Sequence, residues 1–335
     1  MKINAYASPS AGSKFEPIEF ELGELAHDEV DIAVESCGIC HSDLSMVNND
    51  WELSAYPFVG GHEVVGKILT KGENVGLLEV GQRVGLGWYS RSCGVCQPCL
   101  NGDQNLCVVA EATIVQRHGG FADKVRAQSL WCTPIPDALD PAIVGPLFCG
   151  GITVFNPIVQ NAITATDHVA VVGIGGLGHL ALQFLAAWGC EVTAITTSES
   201  KAAEAKQLGA DNVLITKGIG AMKAAVGSFR MILVTVNVEL DWDLYISLLA
   251  RRGTLHIVGA LPFVSTGALP LIEQQKSITG SPLGSPGLVN TMMEFCARKN
   301  IAPVTQSFPM GEINEAFDEL KAGNARYRLV LTNDV

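Results

Sequence analysis

The first 150 residues contain short runs in which apolar and polar residues alternate, and each run ends in a glycine-containing turn. The runs include EVDIAVESCG, HEVVGKILTKGENVG and GQRVGLGWYS. A period of two residues directs the apolar side chains of a strand to one face of a sheet. This part of the chain is therefore predicted to form a β-rich domain, either a sandwich or a partial barrel.

The pattern changes after a proline-containing connection near residue 140. Continuous apolar runs such as HVAVVG, EVTAIT, FRMILVTV and TLHIVGA then alternate with amphipathic segments such as HLALQFLAAWG. This alternation is typical of an α/β fold, a doubly wound parallel sheet of the Rossmann type. The last segment, INEAFDELKAGNARYRLVLTNDV, predicts a helix, a glycine stop and a strand. We assign residues 153–289 to the α/β domain, and residues 1–152 with 290–335 to the β-rich domain.

Composition and charge limit the classes of partner. The chain has 335 residues, of which 48% are hydrophobic and 17% charged, which suits two globular cores. A net charge of −12 disfavours nucleic acid or an anionic membrane as a partner. The N-terminal MKINAYASPSAGSKF lacks the apolar core of a secretory signal, so a cytoplasmic location is expected. The apolar stretch 169–189 meets the length of a membrane span, but its order of signals favours a buried strand, turn and helix.

A glycine-rich turn follows the first apolar run of the α/β region. The segment VVGIGGLGHL has glycines in G-x-G-x-x-G spacing. One glycine makes the tight turn, one lets the backbone approach a pyrophosphate, and one lets helix and strand pack closely. The helix N-terminus that follows favours negative charge. Dinucleotide binding is predicted, with a plain glycine turn as the alternative, for Gly173, Ile174, Gly175, Gly176, Leu177 and Gly178.

The end of the second apolar run bears on the choice of dinucleotide. NAD-binding sites carry a carboxylate about 20 residues after the turn, where it binds the ribose 2′-hydroxyl. Here AITTSESK has Thr196, Thr197 and Ser198 in that position, with Lys201 shortly after. Hydroxyls and an ammonium group bind a 2′-phosphate that a carboxylate would repel. We therefore predict NADP(H); in the alternative interpretation the hydroxyls cap the next helix and the lysine is a solvated charge.

Four of the ten cysteines lie within fifteen residues. The segment CGVCQPCLNGDQNLC has the spacing C-x2-C-x2-C-x7-C, with Cys93, Cys96, Cys99 and Cys107 as candidate ligands. Four thiolates in a short loop match a tetrahedral Zn²⁺, and a site with four protein ligands has no open position for chemistry. We predict a structural zinc that orders the loop; an iron–sulfur cluster or unligated cysteines are the alternatives.

A second metal site is indicated by the segment CGICHSDLS, which contains Cys37 and Cys40. Candidate partners elsewhere are His62 and Glu63 in GGHEVVG, and Cys149 in LFCGG. A catalytic zinc takes three protein ligands, and two cysteines with one histidine is an established set. Spacing alone leaves both cysteines of CGIC open as the ligand, and a thioredoxin-type redox pair is a further alternative.

Several motifs occur in an order that resembles zinc-dependent medium-chain alcohol dehydrogenases over essentially the whole chain. They are CGICHSDL, GGHEVVG, the four-cysteine segment, PLFCGGITVF, VVGIGGLGHLALQ and INEAFDEL. The segments TTSESK and YRLVL are similar to the cinnamyl-alcohol dehydrogenase branch. The resemblance implies a GroES-like catalytic domain beside the Rossmann domain, two Zn²⁺ per chain, and hydride transfer between nicotinamide and a primary alcohol or aldehyde. It also implies a homodimer.

The resemblance further implies roles for individual residues. The catalytic zinc ligands are Cys40, His62 and Cys149; Glu63 lies close enough to exchange with a bound water, and Asp43 orients His62. The Ser42 hydroxyl bonds the substrate oxygen and begins the proton relay. Contacts with cofactor phosphate are implied for His41 and Arg328. The other implied cofactor contacts, mainly along the nicotinamide half, are Ser42, Thr153, Thr235, Gly259, Ser281 and Leu283.

One position departs from that pattern and affects the proton relay. Relatives commonly have a histidine where this chain has Ser45, and serine cannot hold a proton near neutral pH. We predict that the relay ends in water or in the cofactor ribose, or that another group takes the place of the histidine. The pocket candidates are Trp51, Trp88, Tyr89 and Leu283, with a place in the core as the alternative for the tryptophans. The expected substrate is a primary alcohol or aldehyde with an aromatic or medium aliphatic side chain.

Two other functions remain as alternatives at this stage. An NAD-linked polyol or secondary-alcohol dehydrogenase would be favoured by a carboxylate at positions 196–198, where the chain has hydroxyls. A non-catalytic dinucleotide-binding structural protein has no need of an open metal position, so the intact cysteine and histidine set argues against it.

Overall fold

The computed structural model describes residues 1–217 and 219–333. These residues form two compact units. The first contains residues 1–152 and the chain from Leu283 onward, and the second contains Thr153–Pro282.

A twisted sheet of seven strands organises the first unit, and two small antiparallel pairs accompany it. The strands of the sheet follow the order β16-β17-β3-β4-β5-β9. Strand β8 pairs with β3 as well, so β3 has three strand partners. The core of the unit is largely apolar, as the alternating pattern in the sequence predicts, and it also encloses polar side chains such as those of Asp31 and Ser36. The strands of this unit are β1 Lys2–Ala7, β2 Glu16–Glu21, β3 Glu29–Ile39, β4 Val64–Lys71, β5 Arg83–Leu86, β6 Tyr89–Arg91, β7 Glu111–Ala112, β8 Lys124–Gln128, β9 Cys132–Pro134, β16 Thr305–Pro309 and β17 Arg328–Thr332.

Four α-helices of the first unit connect or cover these strands. They are α1 His41–Asn48, α2 Gln97–Leu100, α9 Pro286–Lys299 and α10 Ile313–Ala322. Short 3₁₀ turns lie at Gln104–Leu106, Ser129–Trp131, Gly145–Phe148 and Met310–Glu312. Helix α1 follows β3 directly, so the residues at this junction are fixed by the longest strand of the sheet.

A six-stranded parallel sheet forms the second unit, in the order β12-β11-β10-β13-β14-β15. The strands are β10 His168–Val172, β11 Glu191–Thr196, β12 Asn212–Ile215, β13 Phe229–Val234, β14 Leu249–Ile257 and β15 Ser277–Gly280. The chain winds outward in both directions from β10, which is the Rossmann order with a ligand crevice at the carboxyl end of the central strands. The predicted fold class is confirmed.

The helices of the second unit alternate with its strands. They are α3 Gly150–Gln160, which enters the unit, α4 Gly178–Trp188, α5 Ala202–Gln207, α6 Ile219–Ala224, α7 Trp242–Leu248 and α8 Ala268–Gln274, with a 3₁₀ turn at Glu199–Lys201. The apolar stretch 169–189 contains β10, the glycine turn and α4, as expected. Among the described residues, none of the helices combines the length and apolarity required to span a bilayer.

The return of the chain to the first unit occurs earlier than residue 290, the boundary expected from sequence. Leu283 already belongs to the first unit, where its carbonyl accepts a hydrogen bond from Asn105 Nδ2 at 3.1 Å. Pro286, in the segment SPLGSPG, occupies the first turn of α9, a position that tolerates proline because its missing N–H would be unpaired there anyway.

Candidate active site

The junction between β3 and α1 carries the first group of site residues. Cys40 is the N-cap of α1, and its backbone N–H donates to Asp43 Oδ2 at 2.9 Å. The other carboxylate oxygen of Asp43 accepts from the Gly61 N–H at 2.8 Å. One fully buried carboxylate therefore holds together the two chain segments that carry Cys40 and His62.

Four candidate ligand atoms converge beside this carboxylate. The sulfurs of Cys40 and Cys149, a ring nitrogen of His62 and a carboxylate oxygen of Glu63 all lie within 4.8 Å of one another. The two sulfurs are 3.9 Å apart, and His62 Nε2 lies 3.3 Å from Cys149 Sγ. A tetrahedral ion with bonds of about 2.1–2.3 Å sets its ligand atoms roughly 3.5–3.8 Å apart, so the donor set fits zinc.

The ring of His62 is oriented for ligation through Nε2. Its Nδ1 lies 3.2 Å from Asp43 Oδ1, and an ionised carboxylate only accepts, so Nδ1 carries the proton. Burial lowers the pKa of His62 while the Asp43 charge raises it, and the net shift is upward. The Trp88 ring meets the imidazole edge to face, with ring centres 5.0 Å apart. Because Asp43 holds the proton on Nδ1, Nε2 is the nitrogen that faces the cysteine sulfurs, and it is the one that would lose its proton to bind a metal ion.

Charges inside the cluster favour a thiolate at Cys40. The Cys149 thiol, donating to Cys40 Sγ, holds the pKa of Cys40 well below its usual value; burial opposes this shift and the Arg328 charge supports it. Thiolate is the form that binds a metal ion.

Glu63 and Arg328 form a buried ion pair at the edge of the cluster. Arg328 NH2 donates to Glu63 Oε1, and both side chains are almost fully enclosed. Burial raises the pKa of Glu63 to about 7, and the Arg328 charge opposes the rise. The second oxygen, Oε2, has no hydrogen-bond partner among the described residues. A buried carboxylate oxygen without a donor is the kind of group that a cation satisfies.

The structure brings Cys40 into the cluster and leaves Cys37 out of it. Cys37 is fully buried within the sheet core and its thiol donates to the Gly38 carbonyl at 3.6 Å. Burial raises the pKa of the Cys37 thiol well above its usual value, which makes it unreactive. The two cysteines are not disulfide-bonded. The thioredoxin-type alternative is not supported by this geometry.

The four-cysteine segment folds as a separate lobe of the first unit. The ligand sulfurs of Cys93, Cys96, Cys99 and Cys107 form the second metal-type cluster of the described residues. Backbone N–H groups point at these sulfurs, from Cys93 to Cys107 Sγ at 3.4 Å and from Cys96 to Cys93 Sγ at 3.3 Å. Such bonds stabilise thiolates, and hydrogen bonds from the Val95 and Cys96 backbone lower the pKa of Cys93 to about 6.

The glycine turn of the second unit is shaped as its spacing predicts. A Cβ on Gly178 would lie 1.9 Å from the Gly173 carbonyl oxygen, so only glycine lets α4 start here. A Cβ on Gly175 would point into open space, which leaves this backbone accessible to a phosphate. The Thr235 hydroxyl, 2.8 Å from the Val172 carbonyl and 3.1 Å from that of Gly173, steadies the turn from the next strand.

The hydroxyls after β11 are not used for helix capping. Ser198 is the N-cap of the following 3₁₀ turn, but its side chain makes no capping bond. The backbone N–H of Ser198 instead donates to Thr196 Oγ1 at 3.3 Å, and Thr197 is exposed. Lys201 is not a free solvated charge, because its Nζ donates to the Ile174 carbonyl in the glycine turn at 2.9 Å. The ammonium and hydroxyls thus border the turn that would hold a dinucleotide.

Comparisons with known proteins agree with this site. Residues 26–137 match the alcohol dehydrogenase GroES-like domain family, and residues 176–298 match the zinc-binding dehydrogenase family. The chain is 50% identical over 332 residues, 99% of each protein, to the aldehyde reductase AdhA of Synechocystis sp.. The chain belongs to the zinc-dependent medium-chain alcohol dehydrogenases.

Solved structures support the same assignment and the cinnamyl-alcohol dehydrogenase-like branch. A cinnamyl alcohol dehydrogenase from Sorghum bicolor superposes with a TM-score of 0.94 and 31% identity, covering 99% of this chain and 98% of that one. A Helicobacter pylori enzyme of the same type, solved with NADP(H), gives a TM-score of 0.91 and 26% identity over 99% and 98% of the two chains. This dehydrogenase is therefore an oxidoreductase of the alcohol dehydrogenase and aldehyde reductase type.

The remaining predicted cofactor residues of this dehydrogenase divide between the two units. Thr153, Thr235, Gly259 and Ser281 belong to the second unit with the glycine turn, whereas His41, Ser42, Leu283 and Arg328 belong to the first. Arg328, expected at a cofactor phosphate, has its guanidinium on Glu63 instead. A phosphate contact by this residue stays a prediction.

Two features of the dehydrogenase site escaped sequence reasoning. The Glu63–Arg328 pair joins residues 265 positions apart, and no local sequence pattern predicts it. His256 is fully buried in β14 and touches Ser281, one of the expected cofactor residues. The only sign of this residue in the sequence is that a single histidine interrupts the apolar run TLHIVGA.

Proposed function

We propose that this dehydrogenase interconverts aldehydes and primary alcohols at a zinc held by Cys40, His62 and Cys149, with NADP(H) as hydride carrier. The observation that carries the proposal is the buried cluster itself, three ligand atoms of the catalytic type next to a carboxylate with one unpaired oxygen. A closed structural site would have four fixed ligands and no neighbouring carboxylate of this kind.

The chemistry needs a polarised carbonyl and a defined proton donor. A zinc ion in this cluster supplies Lewis-acid activation of the substrate oxygen, and reduced nicotinamide supplies the hydride. Asp43 keeps the His62 proton on Nδ1 and so keeps Nε2 available as a ligand. The Ser42 hydroxyl lies 3.7 Å from Cys40 Sγ, beside the cluster. During reduction Ser42 would donate its proton to the substrate oxygen while it accepts one from water or the cofactor ribose, and the reverse transfers would occur during oxidation.

Support for NADP(H) comes from the groups that border the glycine turn. Thr196, Thr197 and Ser198 stand where NAD-specific enzymes have a carboxylate, and the Lys201 ammonium already lies at the turn. The related Helicobacter pylori enzyme was solved with NADP(H). The 2′-phosphate of NADP(H) would meet hydroxyl donors and a positive charge rather than a repelling carboxylate.

Aromatic side chains near His62 suggest the substrate class. The Trp88 ring contacts the imidazole, and Trp51 contacts Trp88 with ring centres 6.1 Å apart. Flat apolar walls of this kind favour aldehydes with aromatic or medium aliphatic side chains over polyols. We further propose two Zn²⁺ per chain, one in each cluster, and a homodimer by analogy with the family.

The test compares initial rates at the nicotinamide absorbance band for cinnamaldehyde, benzaldehyde and butyraldehyde, with NADPH and then NADH. We expect turnover with NADPH well above NADH, in protein that contains two zincs per chain. Lys201→Ala should raise the KM for NADPH about tenfold and leave that for NADH within about twofold, because it removes one charge-assisted contact.

Lys206→Ala is the matched control for this experiment, since Lys206 is an exposed lysine of the neighbouring helix α5. It should leave both KM values unchanged. A preference for NADH would overturn the proposed 2′-phosphate site but leave the proposed dehydrogenase activity intact. No turnover in protein with two zincs would overturn the proposed substrate class.

A further inference from the structure

His256 is a buried histidine whose two ring nitrogens have hydrogen-bond partners among the polar side chains of its own unit. It lies in β14 with no exposed surface. Asn161 Nδ2 lies 3.0 Å and Thr279 Oγ1 2.9 Å from its Nδ1, while Ser281 Oγ lies 2.9 Å from its Nε2. Asn161 comes from the end of α3, and the other two partners come from β15 and the residue after it.

The neighbours of Asn161 determine which nitrogen of the ring carries the proton. The Asn161 amide nitrogen also lies 2.8 Å from the Pro157 carbonyl oxygen, which can only accept. That atom is therefore an NH₂ donor, and it faces His256 Nδ1. Nδ1 must then be the acceptor, so the proton of the neutral ring sits on Nε2.

The surroundings also keep the ring uncharged. Burial lowers the pKa of His256 to about 4. A proton on Nδ1 would in addition face the NH₂ group of Asn161, donor against donor. Arg230 donates to the Asn161 main-chain carbonyl at 3.3 Å and brings no negative charge to this network. The ring is thus a fixed Nε2–H donor at neutral pH.

This fixed donor determines how Ser281 can act. Because Nε2–H donates to Ser281 Oγ, the serine hydroxyl is an acceptor on that side and must direct its own hydrogen elsewhere. Ser281 is half-buried and directly follows β15, at the carboxyl edge of the parallel sheet. Ligands of doubly wound sheets bind at this edge. An acceptor atom of the ligand is the natural partner for the remaining hydrogen.

We propose that His256 is a positioning residue that makes Ser281 a hydrogen-bond donor to an acceptor oxygen on the nicotinamide riboside half of the bound dinucleotide. This inference rests on the proposed function, because it needs a nicotinamide dinucleotide at the carboxyl edge. In this proposal His256 does not contact the ligand. It fixes the direction of the hydrogen bond made by Ser281, which does. Removal of the ring would let the serine hydroxyl rotate and turn a lone pair toward the ligand.

The experiment is a double-mutant cycle read by direct dinucleotide binding, with the dissociation constant of NADPH taken from its fluorescence on the zinc-loaded enzyme. We expect Ser281→Ala to raise the Kd about three- to tenfold, the loss of one hydrogen bond. His256→Leu should do the same, and the double variant should be no worse than either single one. His256→Gln, whose amide can still donate to Ser281, should restore the Kd to within about twofold.

Two further variants separate positioning from mere stability. Thr254→Val changes a buried threonine two residues earlier on β14 and should leave the Kd unchanged. His256→Asn is the substitute if the leucine variant does not fold, since its shorter amide cannot reach Ser281 and should also raise the Kd. The KM for the nicotinamide cofactor should rise with the Kd, while kcat with saturating cofactor changes less than about twofold.

The outcomes distinguish this inference from the proposed function. An unchanged Kd for Ser281→Ala, or strictly additive effects of the two single variants, would overturn the positioning role while leaving the dehydrogenase intact. If the wild type binds NADH in place of NADPH, the cofactor choice is wrong and the same cycle with NADH still decides the role of His256. If it binds neither, both proposals fail.

Discussion

The two cysteine clusters of the first unit use similar ligands in opposite surroundings. The lobe cluster takes four sulfurs from fifteen consecutive residues, and one of its cysteines, Cys93, is exposed. The active-site cluster brings together Cys40 and Cys149, which are 109 positions apart, with His62 and Glu63 buried completely. In the lobe, backbone N–H groups stabilise the sulfurs, whereas in the active site the Cys149 thiol stabilises the Cys40 sulfur and the Arg328 charge adds to this effect.

This difference is consistent with the proposed division into a structural and a catalytic metal site. A local loop can complete a tetrahedron by itself, and a metal then replaces the core that the loop lacks. The candidate active-site ligands follow a strand, lie in a loop and follow a 3₁₀ turn in a unit with its own apolar core, so we expect this framework to fold without the metal. Charged neighbours such as Asp43 and Arg328 can then adjust a site with a replaceable ligand.

Loss of an active-site ligand should have the largest effect on activity and little effect on stability. We expect His62→Ala to lower kcat at least about 10³-fold, because Lewis-acid activation contributes several kcal/mol to the barrier. Zinc should fall from two per chain to one, while the melting temperature changes little. Metal analysis and initial rates with benzaldehyde measure both quantities.

The control is His27→Ala, the same substitution at an exposed histidine paired with Glu73. It should retain two zincs and full activity. Retention of the second zinc together with normal turnover in His62→Ala would show that the buried cluster is not the catalytic metal site.

Replacement of Asp43, which contacts the candidate ligand His62 and is not itself a candidate ligand, should reduce activity less. Asp43→Asn keeps the size of the side chain but removes the charge that fixes the His62 proton on Nδ1. We expect kcat/KM, or the affinity for the active-site zinc, to fall about 10- to 100-fold. Titration with a zinc chelator and steady-state kinetics check this.

Asp50→Asn, an exposed aspartate just beyond α1, should be neutral in both assays. An equal loss in the two variants would mean that general charge, rather than orientation of the histidine, matters.

Loss of a ligand in the lobe cluster should lower stability and leave activity largely intact. Cys99→Ser removes a buried ligand of the lobe cluster, so one zinc should be lost and the melting temperature should fall by about 5 °C or more. The folded fraction should keep kcat within about threefold, because the active-site cluster is intact. Calorimetry, metal analysis and kinetics on the same sample test this.

Cys190→Ser provides the matched comparison at a buried cysteine outside both clusters, and it should retain two zincs. A loss of kcat in Cys99→Ser as large as in His62→Ala would remove the distinction between the two sites.

Sequence patterns predicted the features that depend on neighbouring residues. The glycine turn needs only a strand, three spaced glycines and a helix, and the lobe needs only four close cysteines, so both could be inferred locally. Strand β12 was missed because it is a four-residue edge strand with no fully buried side chain. Its apolar run, VLI, is only three residues long and does not by itself indicate a strand.

Features that depend on distant contacts could not be inferred in the same way. The spacing of CGIC does not distinguish Cys37 from Cys40; the direction of each side chain at the end of β3 does. The pairing of Arg328 with Glu63 depends on β17 lying against β3 in the sheet. Such pairings arise from sheet order, which a single sequence does not specify.

The smallest expected effect concerns the proton route that distinguishes the active-site cluster from the lobe. Ser45 is half-buried on α1, one turn after Ser42 and therefore on the same helix face. In Ser45→His, a ring that is neutral above about pH 6.5 can take the proton released during alcohol oxidation. Oxidation at pH 7–8 should rise about two- to fivefold and lose this gain as the pH falls below 6, with Asp50→His as the inert control. An unchanged pH profile in both variants would exclude position 45 from the relay and leave water or the cofactor ribose as the route from Ser42.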